Sequence, residues 1–473
     1  MNLESLVPPR TSRQALLAGA AVGILAGLAP APFSLLVLLL GVGALLLWFP
    51  VAGLGLLIAS RASLDSFAPE ASYVRAWLIN PAAALGIALV ALAALFVALK
   101  LRDGAAIEWG GTPAALWTGW LFVSGFGIVV GFLEYGAVGL SGGLREIVRL
   151  ASLLAIYLLA VNLARPPRGN RRLAGWIFLG ALVPASLGFY QLLTGDTGHN
   201  VYGIRRIAGT FVHPNPFGLY LAALIMAGIG FFRDLTGARA GRLWIALLLA
   251  GAGVLLVFTY SRSALGVLAA ALFFWSLTGS RRRRLLVLLG GGVSAAALLP
   301  FLAWRFQDLF VQTDPNNATT NSFLWRLMNF RMLWGTFLDH PVAGTGLKTM
   351  ILANPNRSTS AEGYTIGFAS HNEALRVLVE QGAIGFLAYV AFAAAFLTVL
   401  LRLARNQRPP EQGGHPGLGQ ALFSLTASLF LLSAVGTEFF SETVVMVTIF
   451  TLTGVLYAGR SQAGPVAEAT HDR

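Results

Sequence analysis

Apolar residues in this chain gather into runs of about 20, separated by short polar or basic stretches. The runs lie near 15–60, 80–99, 113–132, 146–163, 173–193, 216–232, 243–259, 263–279, 285–303, 383–402, 417–436 and 442–459. At about 1.5 Å per residue, a helix of ~20 residues covers a hydrocarbon core of ~30 Å. The pattern therefore predicts an all-α polytopic membrane protein with about 12 transmembrane helices. Residues 15–60 hold either one crossing plus a re-entrant piece or three short spans, and the second choice gives 14. Both choices keep the same parity. Residues 1–460 read as a single transmembrane domain. Between the spans ending near 303 and starting near 383 lies a large outer loop, 304–382, with helices inside it. Residues 461–473 read as a flexible tail. No cleavable signal peptide stands out, because the first apolar run flows directly into the next.

Composition agrees with this reading. Of 473 residues, 56% are apolar and 11% charged, and the mean hydropathy is +0.72. An ordinary soluble domain carries about twice that charge share. Cysteine is absent, which removes disulfides, thiolate metal sites and a cysteine nucleophile. A net charge of +13 raises the question of nucleic acid. Assigning alternate connections to alternate sides puts 20 basic and 7 acidic residues on one face, and 13 of each on the other. The positive-inside rule makes the first face cytoplasmic, with both termini there. Basic runs such as RPPRGNRR and SRRRR lie between spans. Membrane topology thus accounts for the charge, and nucleic acid is not expected as a partner.

Chemistry is then sought in the outer connections: 133–146, 194–215, the TYSRS turn at 259–263, and 304–382. In the last, NSFLWRLMNFRMLWGTFLDHP sets Phe323, Leu327, Phe330, Leu333, Trp334, Phe337 and Leu338 at helical spacing. That predicts an amphipathic helix, packed on the bundle or gripping a lipid-linked substrate. DHPVAGTGLK ends it with Pro341, Gly344 and Gly346. In ASHNEALRVLVEQGAIGF, Ser370 and Glu373 have capping-box spacing, and Gly382 is a natural stop. His371 would fall in the first turn, where the helix dipole lowers the imidazole pKa and keeps it neutral. Such a residue suits a proton acceptor, or it simply caps the helix. Arg205 and Arg206 precede the span that begins near Pro216, and Arg262 sits at the tip of a two-helix turn. Arginines so near hydrocarbon snorkel, pair or face a cavity. Three of them beside a histidine suit an anionic lipid diphosphate. His199, His213, His340 and His371 lack metal-ligand spacing, so no metal and no cofactor are implied.

GTFVHPNPFG, TYSRSALG, DHPVAGTGL and SHNEALRVLVEQGAIG, in this order, resemble the O-antigen ligase/polymerase superfamily over roughly residues 140–460. His213 departs from the family pattern and receives no role. The resemblance implies a multi-pass glycosyltransferase of the GT-C class in the bacterial inner membrane. It implies a donor glycan on undecaprenyl diphosphate and a periplasmic site. His371 corresponds to the family's essential loop histidine, Arg262 to the arginine of the small turn, and Arg206 to the arginine before the GTF stretch. Arg145 and Arg149 match loosely as further diphosphate or acceptor contacts, and pairing with Glu146 or Glu134 is the alternative. Glu438 and Glu442 receive no role. Of the family's branches, the ligase is favoured, with the lipid A-core oligosaccharide as acceptor and inversion at the transferred sugar. Repeat-unit polymerisation and transfer to pilin-like proteins are the other branches. A lipid-diphosphate transporter is the alternative of a different class; no repeated halves of the kind transporters show are visible.

Overall fold

A computed structural model of the chain describes residues 48–63, 81–164, 168–196, 199–201, 204–234, 239–297, 322–354, 358–359, 365–366, 370–405, 415–434 and 438–461, with residues 21, 41, 44 and 436 besides. The ambiguous stretch before Trp48 and the tail beyond Ser461 lie outside the described residues.

In chain order the helices are α1 (Pro50–Arg61), α2 (Pro81–Arg102), α3 (Gly111–Leu163), α4 (Arg168–Gly180), α5 (Leu182–Thr194), α6 (Pro214–Asp234), α7 (Arg239–Phe258), α8 (Arg262–Leu277), α9 (Arg281–Ala297), α10 (Ser322–Asp339), the single turn α11 (Met350–Ala353), α12 (Glu373–Arg405), α13 (Pro416–Ser433) and α14 (Thr443–Ser461). Among the described residues the only strands form two small antiparallel hairpins. One pairs His199–Val201 with Ile204–Arg206, the other Ser358–Thr359 with Thr365–Ile366. The protein is an all-α membrane protein. Seven described helices are long and apolar enough to cross a bilayer, and α1, α8 and the Thr443–Gly459 part of α14 are shorter apolar helices.

The seven include α3 as one unit, although its 53 residues double back on themselves. Gly136 interrupts it with φ 60° and ψ −141°. A Cβ placed on Gly143 would stand 3.1 Å from Ile128 Cγ1. Fifteen residues of straight helix would hold those positions about 22 Å apart. The predicted connection 133–146 is therefore mostly helix, closed by one residue in a conformation that favours glycine.

Local chemistry sets several helix ends. Pro50 and Pro416 stand at the first helical positions of α1 and α13, where a missing N–H costs nothing. Ser261 caps α8 by accepting the Ala264 N–H. Gly195, left-handed at φ 71°, ends α5.

The core between α3, α12 and α14 is aromatic. Trp117 meets Phe392 edge-on at 4.5 Å and Phe450 at 4.9 Å, while Phe396 stacks on Phe450 at 5.2 Å. On the other side, α13 packs against α6, α8 and α12. Gly230 and Gly417 let α6 and α13 approach closely: a Cβ on Gly230 would lie 2.6 Å from Leu418 Cα. α13 thus runs from Gly230 of α6 at its start to the HNE loop before α12 at its end.

Candidate functional site

The HNE segment lies at the outer end of α13. Asn372, not Ser370, is the N-cap of α12: its Oδ1 accepts the Leu375 N–H at 3.0 Å, and its carbonyl accepts the Arg376 N–H at 2.9 Å. The Asn372 side-chain amide donates to the Ala434 carbonyl at 2.9 Å, tying the cap to the end of α13. The predicted capping box does not form, because both of its members are engaged by other groups. Ser370 donates to the Asn372 carbonyl and to Glu438, and it accepts the Asn372 N–H. Glu373 turns inward to Arg376. His371 accordingly lies one residue before the cap rather than in the first turn, in left-handed conformation at φ 52°.

His371 donates its backbone N–H to Glu438 Oε1 at 2.7 Å. Desolvation pushes the imidazole pKa below its ordinary 6.5, Arg326 on α10 pushes it further down, and Glu438 opposes both. The expected direction is found, with burial as its main cause in place of the helix dipole. Arg326 reaches toward the same loop, its Nη1 4.0 Å from where a Cβ on Gly436 would stand.

The two arginine motifs meet in space. Arg206 is 7% exposed; its Nε donates to the Thr259 carbonyl at 2.9 Å and its Nη2 to Asn215 Oδ1 at 2.8 Å. The Ile207 N–H also reaches the Phe258 carbonyl. Arg206 therefore locks onto the turn that carries Arg262, the half-buried first residue of α8. One turn further on, Gly266 faces Leu432 near the end of α13. Arg262 and His371 thus flank the same end of one helix. His213 is accounted for locally: its Nδ1 accepts the Asn215 N–H at 3.1 Å.

The remaining candidates separate. Arg205 is exposed on the hairpin, opposite Asn200, and Arg145 is exposed on α3. Arg149 forms a two-point ion pair with Glu146, at 2.9 and 2.6 Å, and donates to the Phe440 carbonyl. The pairing with Glu146 that the sequence reading offered as an alternative is present.

Behind the HNE loop lies a buried ionic network that the sequence reading did not single out. Arg376 binds Glu373, Glu380 (2.8 Å) and Glu146 (3.7 Å), with each of these side chains 4% exposed or less. The i, i+3 and i, i+4 spacing of Glu373, Arg376 and Glu380 was visible in the sequence, but its burial and the partner on α3 were not. Glu438 was missed for a related reason, since nothing local links it to His371.

DHPVAGTGL and EQGAIG prove to be one structural unit. The Thr345 N–H donates to the Val379 carbonyl at 2.8 Å and the Gly346 N–H to Glu380 at 2.9 Å; the Ala383 N–H returns to Pro341 at 2.8 Å. Gly382, at φ 62°, turns α12 here, and a Cβ on it would collide with the Val342 carbonyl. The predicted stop at Gly382 is thus found as a bend, after which the helix continues to Arg405. α10 packs Phe330, Leu333 and Phe337 onto Leu375 and Val379. Leu327, Trp334 and Leu338 of the same helix face outward at 49–58% exposure.

No curated protein matches the chain. Residues 244–390, about a third of it, match the family model described as O-antigen ligase; the matched segment contains Arg262, Arg326, His371 and Gly382, and it supports membership of the O-antigen ligase superfamily.

Proposed function

We propose that this protein is an inverting, metal-independent O-antigen ligase of the GT-C class, which transfers a glycan from undecaprenyl diphosphate to the lipid A-core oligosaccharide at the periplasmic face of the bacterial inner membrane. The observation that carries the reading is the gathering of His371 with the Arg206–Arg262 pair at one end of α13. A polyprenyl diphosphate is already an activated leaving group. Arg262, braced by Arg206, stabilises the charge that develops on it as the anomeric C–O bond breaks. His371 accepts the proton of the acceptor hydroxyl while that oxygen forms the new bond to the anomeric carbon. One displacement inverts the carbon, and the diphosphate departs as the anion. The depressed imidazole pKa supports this role, because an acceptor must start unprotonated. Arg205 and Arg145, both exposed, are placed to meet the outer parts of donor or acceptor, while Arg149 holds the scaffold.

Deletion of the gene followed by electrophoresis of lipopolysaccharide tests the proposal. Loss of the whole ladder, with polymer retained on undecaprenyl diphosphate, supports the ligase. A single-repeat cap would mean a polymerase, and an intact ladder with unglycosylated pilin the pilin-directed branch. Transfer by purified protein in detergent separates an enzyme from a transporter, which needs two compartments.

A further inference from the structure

At the end of the bundle opposite His371, four helices bring together two arginines and a tryptophan. α8 starts at Arg262 and runs 16 residues, about 24 Å, to this end. Gln420, near the start of α13, accepts Arg233 Nη1 and Arg283 Nη1 on the same Oε1, each at 2.8 Å. Arg283 also reaches the Trp275 carbonyl at 3.5 Å. The Arg283 and Arg233 guanidinium carbons stand 4.6 and 5.9 Å from the Trp275 ring centre. Among the described residues neither arginine pairs with a carboxylate. Asp234, next to Arg233, gives one oxygen each to the Gly417 and Leu418 amides at 3.0 Å, and lies 3.8 Å from His415. Among the described residues the buried Trp275 indole N–H has no acceptor.

Two guanidinium groups sharing one neutral oxygen form a donor-rich site that matches phosphate oxygens. Apolar side chains flank it: Phe232, Phe273, Leu277, Leu285 and Leu286 are 40–62% exposed. We propose that Arg233 and Arg283 bind the phosphodiester headgroup of an anionic phospholipid, whose acyl chains lie along these residues. Basic pockets between helices at a bilayer surface bind such headgroups, and indole rings favour the same depth.

The test uses the full chain purified in neutral detergent, offered phosphatidylglycerol or phosphatidylcholine, with retained lipid counted by native mass spectrometry. Wild type is expected to prefer phosphatidylglycerol, and the double variant Arg233→Gln/Arg283→Gln to lose about tenfold in its retention. Equal retention by wild type and double variant overturns the proposal. So does a thermal stabilisation by inorganic phosphate as large as that by phosphatidylglycerol, which would mark a site for soluble anions. Should the double variant not purify as a single species, Arg233→Gln and Arg283→Gln are read separately. Unchanged retention in both would equally overturn it.

Discussion

The Glu438 carboxylate accepts the backbone N–H of His371 at 2.7 Å across 67 positions of sequence. That bond and the one from Ser370 hold a non-glycine residue at φ 52°, a conformation that costs about 1 kcal/mol. Glu438 thus fixes where the imidazole stands as well as biasing its charge.

The charge bias sets a pH dependence with a definite sign. A proton acceptor works while neutral, so transfer is lost as pH falls through the imidazole pKa, here below the ordinary 6.5. Arg326 lowers that pKa, and its replacement by Gln moves the acid limb of the pH–rate profile upward. Glu438 raises it, so Glu438→Gln moves the limb downward. Profiles of the two variants that shift in the same direction would sink the assignment.

Replacing His371 by Ala leaves Asn372 capping α12, and the fold is expected to survive. Transfer falls by about 10²-fold or more, the usual loss on removing a general base. Donor binding changes little, because in the proposed mechanism the arginines hold the diphosphate. Turnover and donor affinity measured on one purified preparation decide the matter. A near wild-type rate makes His371 a structural residue.

The two site arginines differ in what they support. Arg206→Ala leaves the Thr259 carbonyl without its partner, so a loss of about 1–3 kcal/mol in stability accompanies the loss of transfer. Arg262→Ala is expected to lower transfer, and Arg262→Lys to recover only part of it, since the fork geometry is gone. Full transfer in Arg262→Lys would contradict this reading.

Removing Arg376 is expected to be the most damaging single change. Glu373, Glu380 and Glu146 would be left buried without their shared cation. Breaking a buried ion network in this way costs about 3–5 kcal/mol. Arg376→Met should therefore reduce the amount of folded protein in the membrane before any effect on chemistry can be measured. Wild-type levels and melting behaviour would show the network to be dispensable.

Much of this architecture is legible in the sequence, because hydrocarbon imposes a simple demand on length and polarity. The runs at 216–232 and 417–436 became α6 and α13 within a few residues, and the stop expected at Gly382 fell on a bend within a longer helix. The cap at Asn372 was not legible. Ser and Asn are both good caps, and the choice fell to Glu438 and Ala434, which reach the loop from the end of α13. Arg206 could be suspected as a cation, but its bond to a backbone carbonyl 53 positions away leaves no mark in composition or period. Where a contact is local, spacing reveals it; where the bundle supplies the partner, spacing is silent.

The lacing of residues 341–346 to residues 379–383 has a consequence for the chain between them. Both ends of the stretch from Asn354 to Ser370 are held independently, one through the Asn354–Asn329 amide bond at 2.9 Å and the other through Glu438. The length of the intervening segment therefore does not enter the geometry of the HNE turn. Doubling such a loop adds only about 0.6 kcal/mol of closure entropy.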